Sequence, residues 1–518
     1  MPPSNTNKHR DQHCSLSTAD KKYFVNSQAN LSGIITIPAR GGTREGRKRK
    51  TKKKKVSFLG ITSSDTTLKA AFQHVVKNIP ILQTVVVGDG DDAVFQKVRG
   101  DEENDDCSSL PSLLVESQVE KTETEMMERA RCIVSDLRTT LAAGGKDAYR
   151  KSIRVHAVRC PEAVAFAFIV PHHFTDGAGI SSIFSQLFVT QLLPSSTWFL
   201  MSMLTIPRSK RVQLPPNFDE MVLKRSVSLD IVKEIDVFSD TCLSPRYAKD
   251  NFCFSDYDPT SSDAISQLRG INEDLVIASE KSLKQTLKAL KKGGISLTSA
   301  FSALAIKVLS RLIAESTTTS GKTSQSTSTD QGKRLLSNTP GDGRNLRYIT
   351  GKDKHQRCQS KAFPVVRNYA FSLSTQIPFE DALKHPLEKI AKIFKHEYTR
   401  LQTDEKFRLH QIAAFNASSS ISFLPGTPQC GTSSVLSSRV IQKMALKVSS
   451  EIRIDFGAVP RCWFYTISHG SQTVISADIH LPLANLTEAA TRIAIAEECK
   501  GSALEHLLSI PTHHSPSH

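Results

Sequence analysis

The chain has 518 residues, of which 39 % are hydrophobic and 23 % charged, and its formal net charge is +16. These values are ordinary for a globular protein and exclude a fibrous or wholly disordered chain. Its ten cysteines include no Cys-x-x-Cys pair, so we predict free thiols in a reducing compartment and no metal site. The polar N-terminus lacks an apolar signal core, and we therefore expect a cytoplasmic protein.

Half of the net charge lies in one segment, the basic run from Arg44 to Lys55, which holds nine Lys or Arg residues and one Glu. Like charges at this density repel one another and resist packing, so we predict a solvated basic loop over residues 41–56. Nuclear import through residues 47–55 is the alternative role of this run. Because the rest of the chain is only mildly basic, we expect no nucleic-acid partner.

The first part of the chain predicts a disordered tail followed by an N-terminal lobe. Residues 1–20 are polar and are assigned to the tail, and the lobe is expected over residues 21–206. Apolar residues at helical spacing and short β-branched runs define its first elements. These are a helix around Leu68–Val76 that Pro80 ends, a strand over residues 82–87, and a surface helix over residues 119–141.

A hairpin and a helix follow in the same lobe. Residues 153–158 and 163–170 alternate as two strands, and the second is apolar on both faces, which is typical of a central strand. Apolar residues from Ile180 to Leu192 recur at i, i+3, i+4 and i+7, which predicts an amphipathic helix that Pro194 ends. The segment Pro171–Gly177 therefore lies in a tight turn between a buried strand and a helix.

A C-terminal lobe is expected over residues 207–512, and the whole chain is assigned to the α/β class. Within this lobe, residues 316–332 form a low-complexity loop. The predicted helices cover residues 297–313, 380–401 and 487–508, and the predicted strands cover residues 449–456, 463–468 and 473–479.

The turn after the central strand carries the pattern His172-x-x-x-Asp176-Gly177. A histidine near its ordinary pKa of ~6.5 can accept a proton at neutral pH from an alcohol or amine that attacks a thioester. We therefore predict that His172 is a general base, with His173 as an alternative that the spacing disfavours. Asp176 would orient the turn, and Gly177 would supply backbone freedom. A core or surface histidine beside a helix-capping Asp176 is the structural alternative.

No Gly-x-Ser-x-Gly nucleophile elbow occurs in the chain, which favours direct transfer over an acyl-enzyme route. The His172, Asp176 and Gly177 pattern resembles the motif of the chloramphenicol-acetyltransferase-like superfamily. That group includes plant BAHD acyltransferases, peptide-synthetase condensation domains and fungal alcohol acetyltransferases, and the last are most similar in overall layout. The resemblance extends over most of residues 20–510.

The resemblance implies two similar lobes of mixed β-sheet with flanking helices and an active-site channel between them. Acyl-CoA and the acceptor would enter from opposite faces and meet at His172, while Asp176 would be mainly structural. It also implies a monomer without a bound cofactor that uses acetyl-CoA, or another acyl-CoA, as co-substrate. Peripheral contact with lipid stays open, and the residues that would bind acyl-CoA are not identified.

The chain departs from these relatives in two places. Asp455-Phe456-Gly457 matches only half of the Asp-Phe-Gly-Trp-Gly segment of the plant enzymes. The second histidine, His173, is separated from Asp176 by two residues, where condensation domains have three. Our leading hypothesis is an alcohol O-acetyltransferase. The alternatives are an N-acyltransferase or secondary-metabolite acyltransferase with the same fold, and a non-catalytic binding scaffold.

Overall fold

The computed structural model describes residues 13–26, 30–38, 64–98, 110–192, 214–218, 250–319, 332–342, 366–404, 407–408, 411, 426–436, 449–455, 457–469 and 472–508. The chain divides into two compact units. The first comprises Met1–Arg225, Gly351–Tyr369 and Ser438–Asp455, and the second comprises Ser226–Thr350, Ala370–Ser437 and Phe456–His518. Each unit contains helices and a mixed β-sheet, which confirms the predicted α/β class with two lobes.

The strands, in chain order, are β1 His13–Ser15, β2 Asn30–Pro38, β3 Thr84–Val87, β4 Val94–Lys97, β5 Leu113–Val119, β6 Arg154–Arg159, β7 Ala163–Pro171, β8 Arg269–Ala278, β9 Arg334–Asp342, β10 Ala370–Pro378, β11 Gln429–Leu436, β12 Ser449–Asp455, β13 Arg461–His469 and β14 Gln472–Leu481.

The helices, in chain order, are α1 Thr18–Asn26, α2 Asp65–Asn78, α3 Glu123–Ala143, α4 Gly145–Ala148, α5 Gly177–Leu192, α6 Ala264–Gln267, α7 Glu280–Lys292, α8 Leu297–Thr319, α9 Phe379–Lys384, α10 Leu387–Thr403, α11 Glu488–Cys499 and α12 Glu505–Leu508.

The main sheet of the first unit has the strand order β12-β2-β7-β6-β5, with β5 parallel to β6 and the other neighbours antiparallel. Every residue of β7 is buried, which confirms the prediction of a central strand. Helix α3 packs on this sheet, and Phe184 of α5 packs against Phe166 and Phe168 of β7. Helices on the sheet therefore bury the apolar residues that both faces of β7 present.

Two assignments from the sequence are corrected in this unit. Residues 13–20, expected in a disordered tail, form β1 and the start of α1, and Asp20 is fully buried. Strand β12, expected in the C-terminal lobe, pairs along its whole length with β2. Both depend on contacts between residues far apart in sequence, which local periodicity does not show. The predicted boundary at residues 206 and 207 and the basic loop at 41–56 lie outside the described residues.

The sheet of the second unit has the strand order β10-β9-β11-β13-β14-β8. Strand β11 is parallel to β9 and β13, and the other neighbours are antiparallel. Helix α8 packs against β9, β11 and β13 and against α10 and α11, so it lies at the centre of the core.

Helix α8 begins where the sequence predicts but continues beyond Ile313 to Thr319, and residues 320–331 of the low-complexity loop lie outside the described residues. Its segment Leu297–Ser316 is long and apolar enough to cross a membrane by length and composition, yet 78 % of the apolar window is buried inside the protein. This burial is typical of a core helix. Pro386 separates α9 from α10, where the sequence predicted one helix.

Candidate active site

The strand-to-helix turn that carries the motif begins directly after β7. Pro171, the last residue of β7, pairs with Asn30 of β2, and Phe174 N donates a hydrogen bond to the Pro171 carbonyl oxygen at 3.1 Å. Helix α5 then starts at Gly177. Because β7 is held between two neighbouring strands, the turn leaves the sheet from a rigid position.

His172 is buried, with 6 % of its surface exposed. Its Nδ1 atom is fully enclosed and receives no hydrogen bond from another described residue. Because the residue keeps some exposed surface, we infer that Nε2 is the ring nitrogen that a substrate can approach. Burial lowers the pKa of His172 below the ordinary value of 6.5, and the charge of Asp176 and contact with the backbone of His172 itself partly oppose this. The imidazole is therefore neutral at pH 7, the state in which it can accept a proton.

His173, the alternative base, is completely buried among aromatic rings. Its ring centroid lies 5.4 Å from that of Phe24, 6.4 Å from that of Phe95 and 4.6 Å from that of Phe174. Burial lowers the pKa of His173 to about 3, with the backbone of Tyr149 opposing this in part. The surrounding rings leave no exposed surface through which a substrate could reach it.

Asp176 uses both carboxylate oxygens to accept hydrogen bonds from backbone amides. Oδ1 accepts from Gly179 N at 2.9 Å, which is the N-cap interaction of α5, and Oδ2 accepts from Tyr369 N at 2.9 Å. The carboxylate thus joins the start of the helix to the segment 366–369. Its described contacts are those of a residue that holds the turn, and its influence on His172 is through charge.

One glycine required by space in this turn is Gly179, which the sequence analysis did not single out as functional. A Cβ atom at position 179 would lie 1.8 Å from Thr175 Oγ1, closer than any real contact. Gly177 begins α5 in helical geometry and is not among the glycines with positive φ. Gly177 therefore stays a predicted motif residue, and Gly179 is a second glycine of the turn with a steric requirement of its own.

Sequence reasoning also missed Tyr23, which lies on the ring of His172. The two ring centroids are 4.7 Å apart and the planes are inclined by 18°, so the rings are stacked. Tyr23 belongs to α1, a helix that the sequence analysis did not predict and whose first residues it assigned to a disordered tail. The aromatic pair Tyr23-Phe24 in an otherwise polar stretch was the available signal, because Phe24 is completely buried and Tyr23 is partly buried.

These features together define a neutral imidazole with one accessible nitrogen, held at the end of a central strand. Among the described residues, no group of three or more His, Cys, Asp or Glu side chains could hold a metal ion. The arrangement can accept a proton from a substrate hydroxyl or amine. The segment Asp455-Phe456-Gly457 begins at Asp455, the last residue of β12, and Phe456 lies outside the described residues.

The fold is that of the condensation-domain and chloramphenicol-acetyltransferase-like group of two-lobed proteins. No protein-family model and no curated protein sequence matches the chain. The solved structures that resemble it include the trichothecene 15-O-acetyltransferase TRI3 from Fusarium sporotrichioides, with a TM-score of 0.58 and 15 % identity over 96 % of this chain and 95 % of that one.

Two further similar structures come from peptide-synthetase assemblies. The cyclization-docking bidomain of EpoB from Sorangium cellulosum has a TM-score of 0.54 and 11 % identity over 98 % of this chain and 87 % of that one. The epimerization domain of tyrocidine synthetase B has a TM-score of 0.53 and 11 % identity over 96 % of both chains. At these identities the comparisons establish the shared fold.

Proposed function

We propose that the protein is an acyl-CoA-dependent acyltransferase in which His172 is the general base, and that its reaction is the transfer of acetyl from acetyl-CoA to an alcohol. The observation that carries this proposal is the state of His172, a neutral imidazole with a single accessible nitrogen at the end of β7. The likeness in fold to an O-acetyltransferase supports a hydroxyl acceptor.

In the proposed reaction, His172 Nε2 accepts the proton of the acceptor hydroxyl as the hydroxyl oxygen bonds to the thioester carbonyl carbon. The resulting tetrahedral intermediate collapses when the carbon–sulfur bond breaks. The proton held on Nε2 then passes to the departing sulfur, so the products are an ester and coenzyme A. The imidazole ends in its starting state, and no covalent enzyme intermediate forms.

A second class of acceptor substrate is also a candidate. The peptide-synthetase neighbours favour an amine or a secondary-metabolite acceptor on the same fold. The enclosed position of His173 supports His172 as the base with either acceptor, because a substrate could not reach His173 without displacing three phenylalanine rings.

The proposal is tested by following coenzyme A release from acetyl-CoA with a thiol reagent, against a panel of alcohols and amines that includes a trichothecene alcohol. Acceptor-dependent release is expected, and His172→Ala should reduce it by roughly 10²–10⁴-fold, the usual contribution of a general base. His74→Ala, at an exposed position on α2, is the matched control and should keep full activity.

Full activity in a folded His172→Ala protein would refute the role of His172. No release with any acceptor, and with longer acyl-CoA donors as well, would favour the non-catalytic scaffold. The ratio of release rates with alcohols and amines would decide between O- and N-acylation.

A further inference from the structure

The histidine proposed as the base has no hydrogen bond from Nδ1 to another of the described residues, and the polar contact that affects its pKa is with its own backbone. Both oxygens of the nearby Asp176 are bound to backbone amides. A base must be oriented, because small displacements of a reacting group cost large factors in rate. Among the described residues, one contact that can orient this ring is the stacked ring of Tyr23.

Tyr23 is carried by α1, a nine-residue helix that is too short to be stable without packing contacts. The helix is closed at its start by a reciprocal pair of hydrogen bonds. Ser17 N donates to Asp20 Oδ2 at 3.2 Å, and Asp20 N donates to Ser17 Oγ at 3.1 Å. This pair stabilises the first turn but does not attach α1 to the rest of the unit.

Besides the buried ring of Phe24, which packs against His173, α1 is attached through the other oxygen of Asp20. Asn368 Nδ2 donates to Asp20 Oδ1 at 2.9 Å, and all of Asp20 is buried. Burial raises the pKa of Asp20 to about 6, while the charge of Arg367 and the hydrogen bonds from Ser17 and Asn368 oppose the rise. A buried carboxyl group with these partners is an anchor that water cannot replace.

Residues 367–369, which include the Asn368 donor to Asp20, are themselves held by further hydrogen bonds. Arg367, completely buried, donates from Nη2 to the Ser15 carbonyl oxygen at 2.8 Å and from Nη1 to the Pro215 carbonyl oxygen. The next residue but one, Tyr369, donates its backbone N–H to Asp176. Residues 367–369 therefore connect α1 to the turn that carries His172.

We propose that Asp20 is a positioning residue for His172, because it anchors the helix whose Tyr23 ring lies on the His172 imidazole. Asp20 and Tyr23 are three residues apart in α1 and so lie on neighbouring parts of one helical face. Loss of the Asp20–Asn368 bond would let α1 shift, and the imidazole would lose its stacking partner and become more exposed. The consequence for catalysis rests on the proposed function, whereas the consequence for the exposure of His172 does not.

The test uses the full chain and two readouts. The first is the rate at which diethyl pyrocarbonate modifies His172, located by tandem mass spectrometry. The second is kcat and KM for coenzyme A release. In Asp20→Asn, the new amide nitrogen faces a hydrogen-bond donor, either Ser17 N or Asn368 Nδ2. We expect the modification rate of His172 to increase severalfold and kcat to fall roughly 10-fold, with KM little changed. Asn368→Ala, which leaves the first turn of α1 intact, should change both readouts in the same direction.

Three further variants separate positioning from a general loss of structure. The exchange Asp20→Asn with Asn368→Asp restores a donor–acceptor pair and should recover both readouts. Tyr23→Phe keeps the stacked ring and should resemble the wild type, whereas Tyr23→Ala should resemble Asp20→Asn. Thr18→Ala, an exposed change in the same helix, is the control and should leave the modification rate unchanged.

The proposal is overturned if folded Asp20→Asn and Asn368→Ala proteins show wild-type modification of His172 and wild-type kcat. It is also overturned if Tyr23→Phe exposes His172 as much as Tyr23→Ala does. If the wild type releases no coenzyme A, only the proposed function fails, because the modification rates still compare the variants.

Discussion

The carboxylate of Asp176 and the imidazole of His172 belong to one turn, yet the carboxylate binds the backbone amides of Gly179 and Tyr369. The negative charge nevertheless raises the pKa of His172 against the effect of burial. Asp176 therefore has two separable effects on the site. One holds the turn and the start of α5, and the other adjusts the proton affinity of His172.

Asp176→Asn is predicted to separate these effects. The amide can accept only one of the two backbone hydrogen bonds, so the free energy of unfolding should fall by about 1–3 kcal/mol. Removal of the charge also lets the pKa of His172 fall further, so the acid limb of kcat/KM should move to lower pH. Denaturant unfolding and a pH–rate profile measure the two effects, with the exposed Asp136→Asn as control.

A kcat for folded Asp176→Asn as low as that of His172→Ala would contradict this prediction, because it would make Asp176 as important to the chemistry as the base. A lower stability with most of kcat retained would support a mainly structural Asp176.

Gly179→Ala is predicted to destabilise the turn. The new Cβ would lie 1.8 Å from Thr175 Oγ1, and Thr175 is itself fully buried, so either α5 or the turn must move. We expect a loss of about 1–3 kcal/mol, as for overpacked cores, and a marked loss of activity. Combining Gly179→Ala with Thr175→Ala removes the nearest clashing atom and should restore part of the stability.

Gly293→Ala is the matched control for this change, since a Cβ there would meet its nearest described neighbour at 3.5 Å, an ordinary contact. Thermal unfolding of the wild type, the two single glycine variants and the double variant gives the comparison. If Gly179→Ala were as stable as the wild type, the turn would accommodate a Cβ atom at position 179 without cost, and the prediction would be wrong.

The elements around the motif were predictable because their evidence is local. The apolar alternation of residues 163–170 and the helical spacing from Ile180 identify β7 and α5 from the sequence alone, and the turn between them follows. The histidine, aspartate and glycine of the motif were found for the same reason. The hydrogen bonds of Asp176 to Gly179 and Tyr369 could not be predicted in this way, since periodicity does not give hydrogen-bond partners.

The parts that could not be predicted depend on contacts between distant residues. The bond from Tyr369 to Asp176 joins residues 193 positions apart, and β12 enters the first sheet from the far end of the chain. Helix α1 is polar and short, so its composition indicates disorder, and it is ordered by the buried Asp20 and Phe24. No local pattern encodes such pairings, because many alternative partners would be equally compatible with the same sequence pattern.

The burial of His173 is predicted to make stability depend on pH. The unfolded chain protonates this histidine below pH 6.5, whereas the folded protein resists protonation until about pH 3. The unfolded state therefore binds more protons within that window, and the contribution of His173 to the unfolding free energy is lost as the pH falls from 6.5 to 3. Burial of Asp20 acts in the opposite sense, because its pKa is raised from 3.8 to about 6.

His173→Leu isolates the contribution of His173, since both proteins retain Asp20. The difference in unfolding free energy between the wild type and His173→Leu, measured by denaturant titration, should increase in favour of the wild type from pH 3 to pH 6.5 and be constant above it. A difference that does not change across this range would show that His173 is protonated in the folded protein or exposed to water.

A buried ion pair in the second unit gives the last prediction. Lys307 of α8 lies 3.1 Å from Glu498 of α11, and both side chains are less than a tenth exposed. Lys307 also donates to the carbonyl oxygens of Ala382 and His385, and Arg311 donates to Glu498 at 2.6 Å.

Glu498→Ala leaves Lys307 buried without its counter-charge and should cost about 3–5 kcal/mol of unfolding free energy. The double variant Lys307→Met with Glu498→Leu should cost less than the sum of its two single changes. Breaking the exposed pair of Lys284 and Glu280 should have little effect, because water screens that pair. Denaturant unfolding of the wild type and of these variants tests this, and strictly additive losses at Lys307 and Glu498 would mean that the two charges do not stabilise one another across α8 and α11.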